Sequence, residues 1–274
     1  MSTVTPQTTA AGQPLTVESS RRPKSSGRLV VGSISVLIFF LVWQGVSWLN
    51  LADATLISSP LRVLRAILEL LLSGALLINL WISVQEFLLG MAFALIIGVF
   101  LGLAMGWYRR LGLLLDPLIM TFYTMPRDAL LPIIIIWAGI GLYSKAAVVF
   151  LGAVFPIVVN TVTGIREADP SWLKAARSYG AGERDIFWKI LLPGCLPYLM
   201  AGIRLGIGRG VIGVIIAEMY VSNMGLGALI MRAQVGLNSD ALIGLVLLTA
   251  MFGFLVVKLA RGIENKVGRW RQEV

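Results

Sequence analysis

The sequence predicts an all-α, polytopic membrane protein, and three observations carry that expectation. Hydrophobic residues make up 57% of the 274-residue chain against 14% charged, with a mean hydropathy of +0.85. The uncharged runs Leu29–Ala52, Phe87–Tyr108 and Ala146–Ile165 each approach the roughly 18 to 25 apolar residues that a helix needs to cross lipid. They lack the apolar–polar alternation of a transmembrane β-barrel strand. Lastly, the net charge of +9 is clustered. Basic residues gather at the N-terminus (Arg21, Arg22, Lys24, Arg28), at Arg109–Arg110, around Arg166–Lys189 and at the C-terminus (Lys258–Arg271). That is the positive-inside pattern, which places these four regions in the cytoplasm and points away from nucleic acid as the partner of the charge.

Taken in order, residues 1–28 read as a Ser/Thr/Pro-rich disordered cytoplasmic tail. The apolar run after them is too long for a signal-peptide core. A first span covers Leu29 to Leu49, and residues 50–80 then lie outside. There Ser59-Pro60 starts a helix with a capping serine and a first-turn proline. Leu61, Leu64, Leu68, Leu71 and Leu72 form its apolar face and Arg62, Arg65 and Glu69 its polar one. Two outcomes fit that pattern: a helix lying on the membrane surface, or one packed on the bundle.

The second span, Trp81–Tyr108, carries Gly98, Gly102 and Gly106 on one face, as expected of close helix packing or of a special pore or dimer face. Residues 111–144 as one helix would be roughly 50 Å long, too long for one crossing. Pro126, Arg127, Asp128 and Pro132 predict a break there. With Arg109–Arg110 and the loop after Ile165 both inside, the crossings between them are even in number, so this region is expected to supply one broken span. Tyr198–Tyr220 and Asp240–Leu259 complete six, with both termini cytoplasmic. The membrane domain is bounded at residues 29–262, followed by a cytoplasmic tail over 263–274.

The chain has no histidine and one cysteine, Cys195, so an internal disulfide and histidine-based acid–base or zinc chemistry are excluded. No lysine follows a glycine, so there is no phosphate-binding loop of the G-x-x-x-x-G-K-[ST] type, and the chain is not expected to bind or hydrolyse ATP by itself. No catalytic residue, metal or cofactor is expected on this chain.

Polar residues inside spans are expensive and therefore candidates for a solute path. Thr124, Arg127 and Asp128 at the predicted break, Asn160 in the fourth span and Glu218 in the fifth are the candidates. Local pairing of Arg127 with Asp128, and helix–helix hydrogen bonds for Asn160, compete with that expectation. Arg204 is near enough to the inner surface to snorkel, Arg209 lies deeper and needs a partner, and Glu86 calls for one too, an arginine being the first expectation.

The segment KAARSYGAGERDIFWKILLPG, residues 174–194, predicts a cytoplasmic helix–glycine–helix. Asp169 or Ser171 caps a helix over Trp172–Tyr179 with Pro170 just inside. Gly180 sits where a helix ends, and a second helix spans Glu183 to Leu192 and stops at Pro193-Gly194. Ala175 and Ala176 make the first helix thin enough to enter a groove on another protein.

This segment resembles the EAA loop of the inner-membrane permease subunits of ATP-binding-cassette importers. In that pattern Glu-Ala-Ala is followed by three residues, Gly, nine residues and Ile-x-Leu-Pro. Here Ala175, Ala176, Gly180, Ile190, Leu192 and Pro193 keep the spacing, and Lys174 replaces the acid. SSPLRVLRAILELLLSGAL, PRDALLPIIIIWAGIG and IAEMYVSNMGLGALI are similar to the nitrate, sulfonate, taurine and bicarbonate branch. The resemblance implies a permease for a small anionic solute, an ATPase pair docking on the loop at about 167–194 (Lys174, Ala175, Ala176, Gly180, Ala181, Ile190, Leu192, Pro193), a second permease, a homodimer being the first expectation, and a periplasmic or lipid-anchored binding protein. It also implies a bacterial inner-membrane location. An ion-gradient-driven secondary transporter is the alternative, and within the first class another small organic solute.

Overall fold

The computed structural model describes residues 25–49 and 58–267. Residues 1–24 of the tail predicted over 1–28, residues 50–57 of the predicted external segment and residues 268–274 lie outside the described residues; residues 25–28 of that tail are the start of a helix. Among those described, every regular element is helical. Residues 1–51 and 52–274 form separate compact units, and the first is represented by α1 (Ser25–Trp48), in the place of the first predicted span. Within it Phe40 and Trp43 stack with ring centres 6.1 Å apart.

In the second unit, α6 (Leu142–Arg166) runs between α3 (Ala75–Trp107) and α9 (Leu192–Val221) and is buried along most of its length. Small residues decide this seam. A Cβ on Gly98 would lie 3.0 Å from Ile157 Cγ2, one on Gly102 2.6 Å from Thr161 Cβ, and one on Gly106 2.7 Å from Ile165 Cβ. The glycine face of α3 therefore serves packing within the chain. A neighbouring face of α6 meets α9 in the same way: Gly202 abuts Asn160, and Gly206 abuts Ala153. In lipid, where apolar side chains gain little by clustering, such close backbone approach is what holds helices together. Outward-facing Phe93, Ile96 and Phe100 of α3 and Met251 and Phe254 of α11 (Ser239–Val267) are exposed, as suits helices solvated by acyl chains.

Four helical stretches are long and apolar enough to cross a membrane: α3, α6, the run Glu183–Val221 and α11 over Ser239–Gly262. A fifth arises if α4 (Arg109–Thr124) and the helical segment Arg127–Ala138 form one span. They meet at 92°, and the break falls at Met125-Pro126, where the sequence places it. The Arg127–Leu130 turn is 3-10, and α5 (Leu131–Ala138) continues from it. Six crossings are thus not established by length and composition among the described residues.

The helix predicted from Ser59-Pro60 is α2 (Pro60–Leu72), with Ser59 Oγ accepting from Arg62 N at 3.3 Å. It uses two faces. Val63 and Ile67 pack at Gly244 of α11, with Arg62 3.6 Å from Asp240. The predicted leucine face is solvent-side in the isolated chain, with Leu72 86% exposed. Of the two sequence alternatives, packing on the bundle is the one observed: α2 packs through Val63 and Ile67 and presents its leucines outward.

One helix was not predicted. α10 (Leu226–Val235) follows a corner at Gly225, whose φ of +108° is a left-handed backbone that favours glycine. The corner is held by residues distant in sequence. Gly225 N donates to Asn79 Oδ1 at 2.6 Å, Leu226 N to Ser83 Oγ at 2.9 Å and Gly227 N to Glu218 Oε2 at 2.8 Å. Ser83 Oγ donates to Glu218 Oε1 at 2.5 Å. Beside it Lys145 forms an ion pair with Glu86, both almost fully buried, and donates to Ser222 Oγ at 3.1 Å. The partner that Glu86 needed is thus a lysine, not an arginine, and it is buried inside the protein. Arg204 also has a carboxylate, Glu264.

Candidate functional site

Two regions answer to the sequence candidates. The first is the loop. α7 (Pro170–Ser178) begins at Asp169, whose carboxylate accepts from Ser171 N at 2.8 Å and Ser171 Oγ at 2.6 Å. These bonds hold the Asp169 carboxyl below the usual carboxylate range. A carboxyl depressed in the folded state stabilises α7 at neutral pH, and that contribution is lost as pH falls through the depressed value. Asp169→Ala should speed amide exchange over residues 171–173 at neutral pH. The difference from wild type should shrink in acid, and Asp169→Ser should preserve protection.

At the other end, Ala181 N donates to Ala176 O and Gly180 N to Arg177 O, both at 3.0 Å, with Gly180 at φ +80°. This is a Schellman closure, with the 6→1 and 5→2 bonds both made. Leu173, Ala176 and Ala181 pack inward on Ile165, Ile186, Leu191 and Cys195. Lys174, Ala175, Gly180, Trp172 and Tyr179 face out. So the thin face that sequence assigned to both alanines is split: Ala175 is presented, and Ala176 anchors.

The second half of the loop departs from expectation. α8 (Glu183–Ile186) does not stop at Pro193-Gly194. It runs through a π-helical turn, Phe187–Leu191, straight into α9. In that turn Leu192 N donates to Phe187 O, one residue further back than in an α-helix. Pro193, which has no N–H to donate, follows directly after this π-turn within the continuous run. Ile190, Leu192 and Pro193 are half-buried, so they join the loop to α9 rather than forming its exposed surface.

The second region is a cavity of about 580 Å³ at the α4–α5 break, bounded by α6 and α9 and lined in part by Tyr123, Thr124, Arg127, Asp128, Gly152 and Arg209. Pro156 has no N–H to offer the Gly152 carbonyl one turn earlier. Arg127 Nη1 donates to that orphaned carbonyl at 3.1 Å. Arg209 donates to Tyr123 Oη at 3.2 Å and lies 4.6 Å from the centre of that ring, a cation–π contact. Thr124, Arg127 and Asp128 therefore come together as sequence suggested, joined by Tyr123 and Arg209. Asn160 and Glu218 do not line this cavity. Asn160 Nδ2 bonds back to Pro156 O of its own helix at 2.8 Å. Glu218 is fully buried and caps the start of α10, an acid at a helix N-terminus. With α10 unseen in the sequence, that role had no signal there.

Residues 94–269 match the family of binding-protein-dependent transport system inner membrane components. The chain belongs to that family. As a member, it is the transmembrane permease subunit of an ABC importer, an inner-membrane protein and not an enzyme. The permease is 31% identical over 240 residues, 88% of this chain and 87% of the relative, to the putative aliphatic sulfonates transport permease protein SsuC of Bacillus subtilis. It is 29% identical to the taurine transport system permease protein TauC of Escherichia coli, covering 90% of each chain. It is 36% identical to the putative aliphatic sulfonates transport permease protein SsuC of Escherichia coli, covering 84% of this chain and 87% of that one. In fold it is similar to a chain of the MetNI methionine ABC transporter in an inward-facing conformation, with a TM-score of 0.63 and 20% identity over 71% of this chain and 96% of the other. The family implies an ATPase and a binding protein as partners.

Proposed function

We propose that this permease carries a small organic anion of the sulfonate class, received from a binding protein, and that α7 is where a separate ATPase docks. The observation that carries the docking reading is the outward presentation of Trp172, Lys174, Ala175 and Tyr179 on a short helix whose two ends are both fixed, by the Asp169 cap and by the Gly180 closure. A short helix anchored at Leu173, Ala176 and Ala181 can pass a push into α9 through the continuous Glu183–Val221 run. In this reading Lys174 offers a positive charge where the family pattern has a negative one, so the contacting ATPase residue is an acid. The sulfonate reading is supported by relatives named for aliphatic sulfonates and taurine. Two copies of the permease, two ATPase subunits and cytoplasmic termini complete the proposal.

The test is co-purification and uptake. Gly180→Asp forces a side chain into a left-handed backbone, which costs about 1–2 kcal/mol locally, and puts a charge at the end of the docking helix. Open space surrounds Gly180, so the bundle itself should fold. The expected result is loss of ATPase co-purification together with loss of ATP-driven ethanesulfonate uptake in proteoliposomes. Retention of both would refute docking at α7. Transport of a neutral solute with no sulfonate uptake by the wild-type assembly would refute the substrate class.

A further inference from the structure

We infer that the cavity at the α4–α5 break is a solute-binding site inside the permease, built for a singly charged oxyanion headgroup. This deepens the sulfonate reading proposed above and rests on it. The observation behind it is a charge arrangement with no internal answer. Arg127 and Arg209 line one cavity, and among the described residues no carboxylate lies within 4.0 Å of either guanidinium. Among the described residues, every other buried or half-buried cation has such a partner: Arg62 has Asp240, Lys145 has Glu86 and Arg204 has Glu264. Here the partners are neutral. Arg127 bonds the Gly152 carbonyl, and Arg209 bonds the Tyr123 hydroxyl and faces its ring.

Each guanidinium has five N–H donors in a planar fork that matches an oxyanion. One donor of Arg127 goes to Gly152 and one of Arg209 to Tyr123, which fixes each group while leaving donors for a ligand. Two like charges facing one cavity repel, and an anion between them removes that cost. Asp128 sets the limit. It lines the same cavity, so two cations against one carboxylate leave a single net positive charge. A monoanion neutralises that lining, whereas a dianion overcharges it. The volume of about 580 Å³ falls within the range of small-molecule sites. The break itself makes the cavity possible, since irregular backbone at membrane depth is tolerated where it lines a polar space. The permease would then select on charge after the binding protein has released its solute.

The experiment uses the complete transporter, permease with ATPase and binding protein, in proteoliposomes with radiolabelled ethanesulfonate at saturating loaded binding protein. A parallel equilibrium-binding arm uses the permease–ATPase complex in nanodiscs without binding protein. Arg209→Gln should lower both maximal uptake and ethanesulfonate binding about tenfold, the size of one lost charged hydrogen bond, and Arg209→Lys should retain part of each. Asp128→Asn should let sulfate, a dianion, compete with ethanesulfonate in the binding arm, where wild type ignores it. A purely structural role for these residues would not produce that change in selectivity. Should Arg209→Gln fail to assemble, Arg209→Lys and Asp128→Asn decide. The site is overturned if the wild type carries ethanesulfonate and the assembled variants carry and bind it as wild type does, with sulfate still excluded. If the wild type carries only a neutral solute, the sulfonate reading fails first and the site falls with it.

Discussion

Lys145→Met should cost about 3–5 kcal/mol of folding stability, the range for removing one partner of a buried ion pair. Glu86 would be left charged, almost fully buried and without its counter-ion, with one carboxylate oxygen already lacking a hydrogen bond. The Lys145 bond to Ser222 would go as well, loosening the corner that leads to α10. A thermal unfolding series in detergent should show the single variant well below wild type. The double variant Lys145→Met, Glu86→Gln should recover much of the loss, because the uncompensated charge is then gone and only packing differs. If the single variant melts with wild type, the pair carries no stability and the corner is held by Asn79, Ser83 and Glu218 alone.

The second large effect is expected at Gly90. A Cβ there would sit 2.4 Å from the Ala146 carbonyl and 2.6 Å from Val149 Cβ. The first of these is backbone in a buried helix and cannot rotate aside. Gly90→Val should therefore push α3 from α6 and destabilise by about 1–3 kcal/mol or more, the usual cost of overpacking. Gly208→Val provides the contrast, since no described residue lies within 4 Å of a Cβ at its position. Equal melting temperatures for the two variants would show that the α3–α6 seam is looser than its geometry.

Several features were legible in the sequence because they are local. Ser59-Pro60, Asp169-Pro170 and Gly180 each announce a helix end through groups one to three residues away. Pro126 likewise marks the break between α4 and α5. The stop expected at Pro193-Gly194 was wrong for a local reason that the sequence hides: the π-turn at Phe187–Leu191 precedes the proline and the helix continues. Glu86, Glu218 and α10 were illegible because their partners are remote, with Lys145, Ser83 and Gly227 brought together only by the packing of α3, α6 and α9. In the cavity, Arg127 was visible beside a proline break, but Arg209 lies more than eighty residues away and joins it only when α9 packs on α6.

The sequence by itself determined the class of the protein, the capped helix with its glycine closure and the place of the α4–α5 break, since hydropathy, capping and proline geometry act over a few residues. The tertiary structure alone decided which glycine faces meet which helices, which charges are paired and which two arginines share a cavity. Those outcomes depend on close approach between helices, where a single Cβ or an unpaired buried charge is worth several times the energy of any local preference.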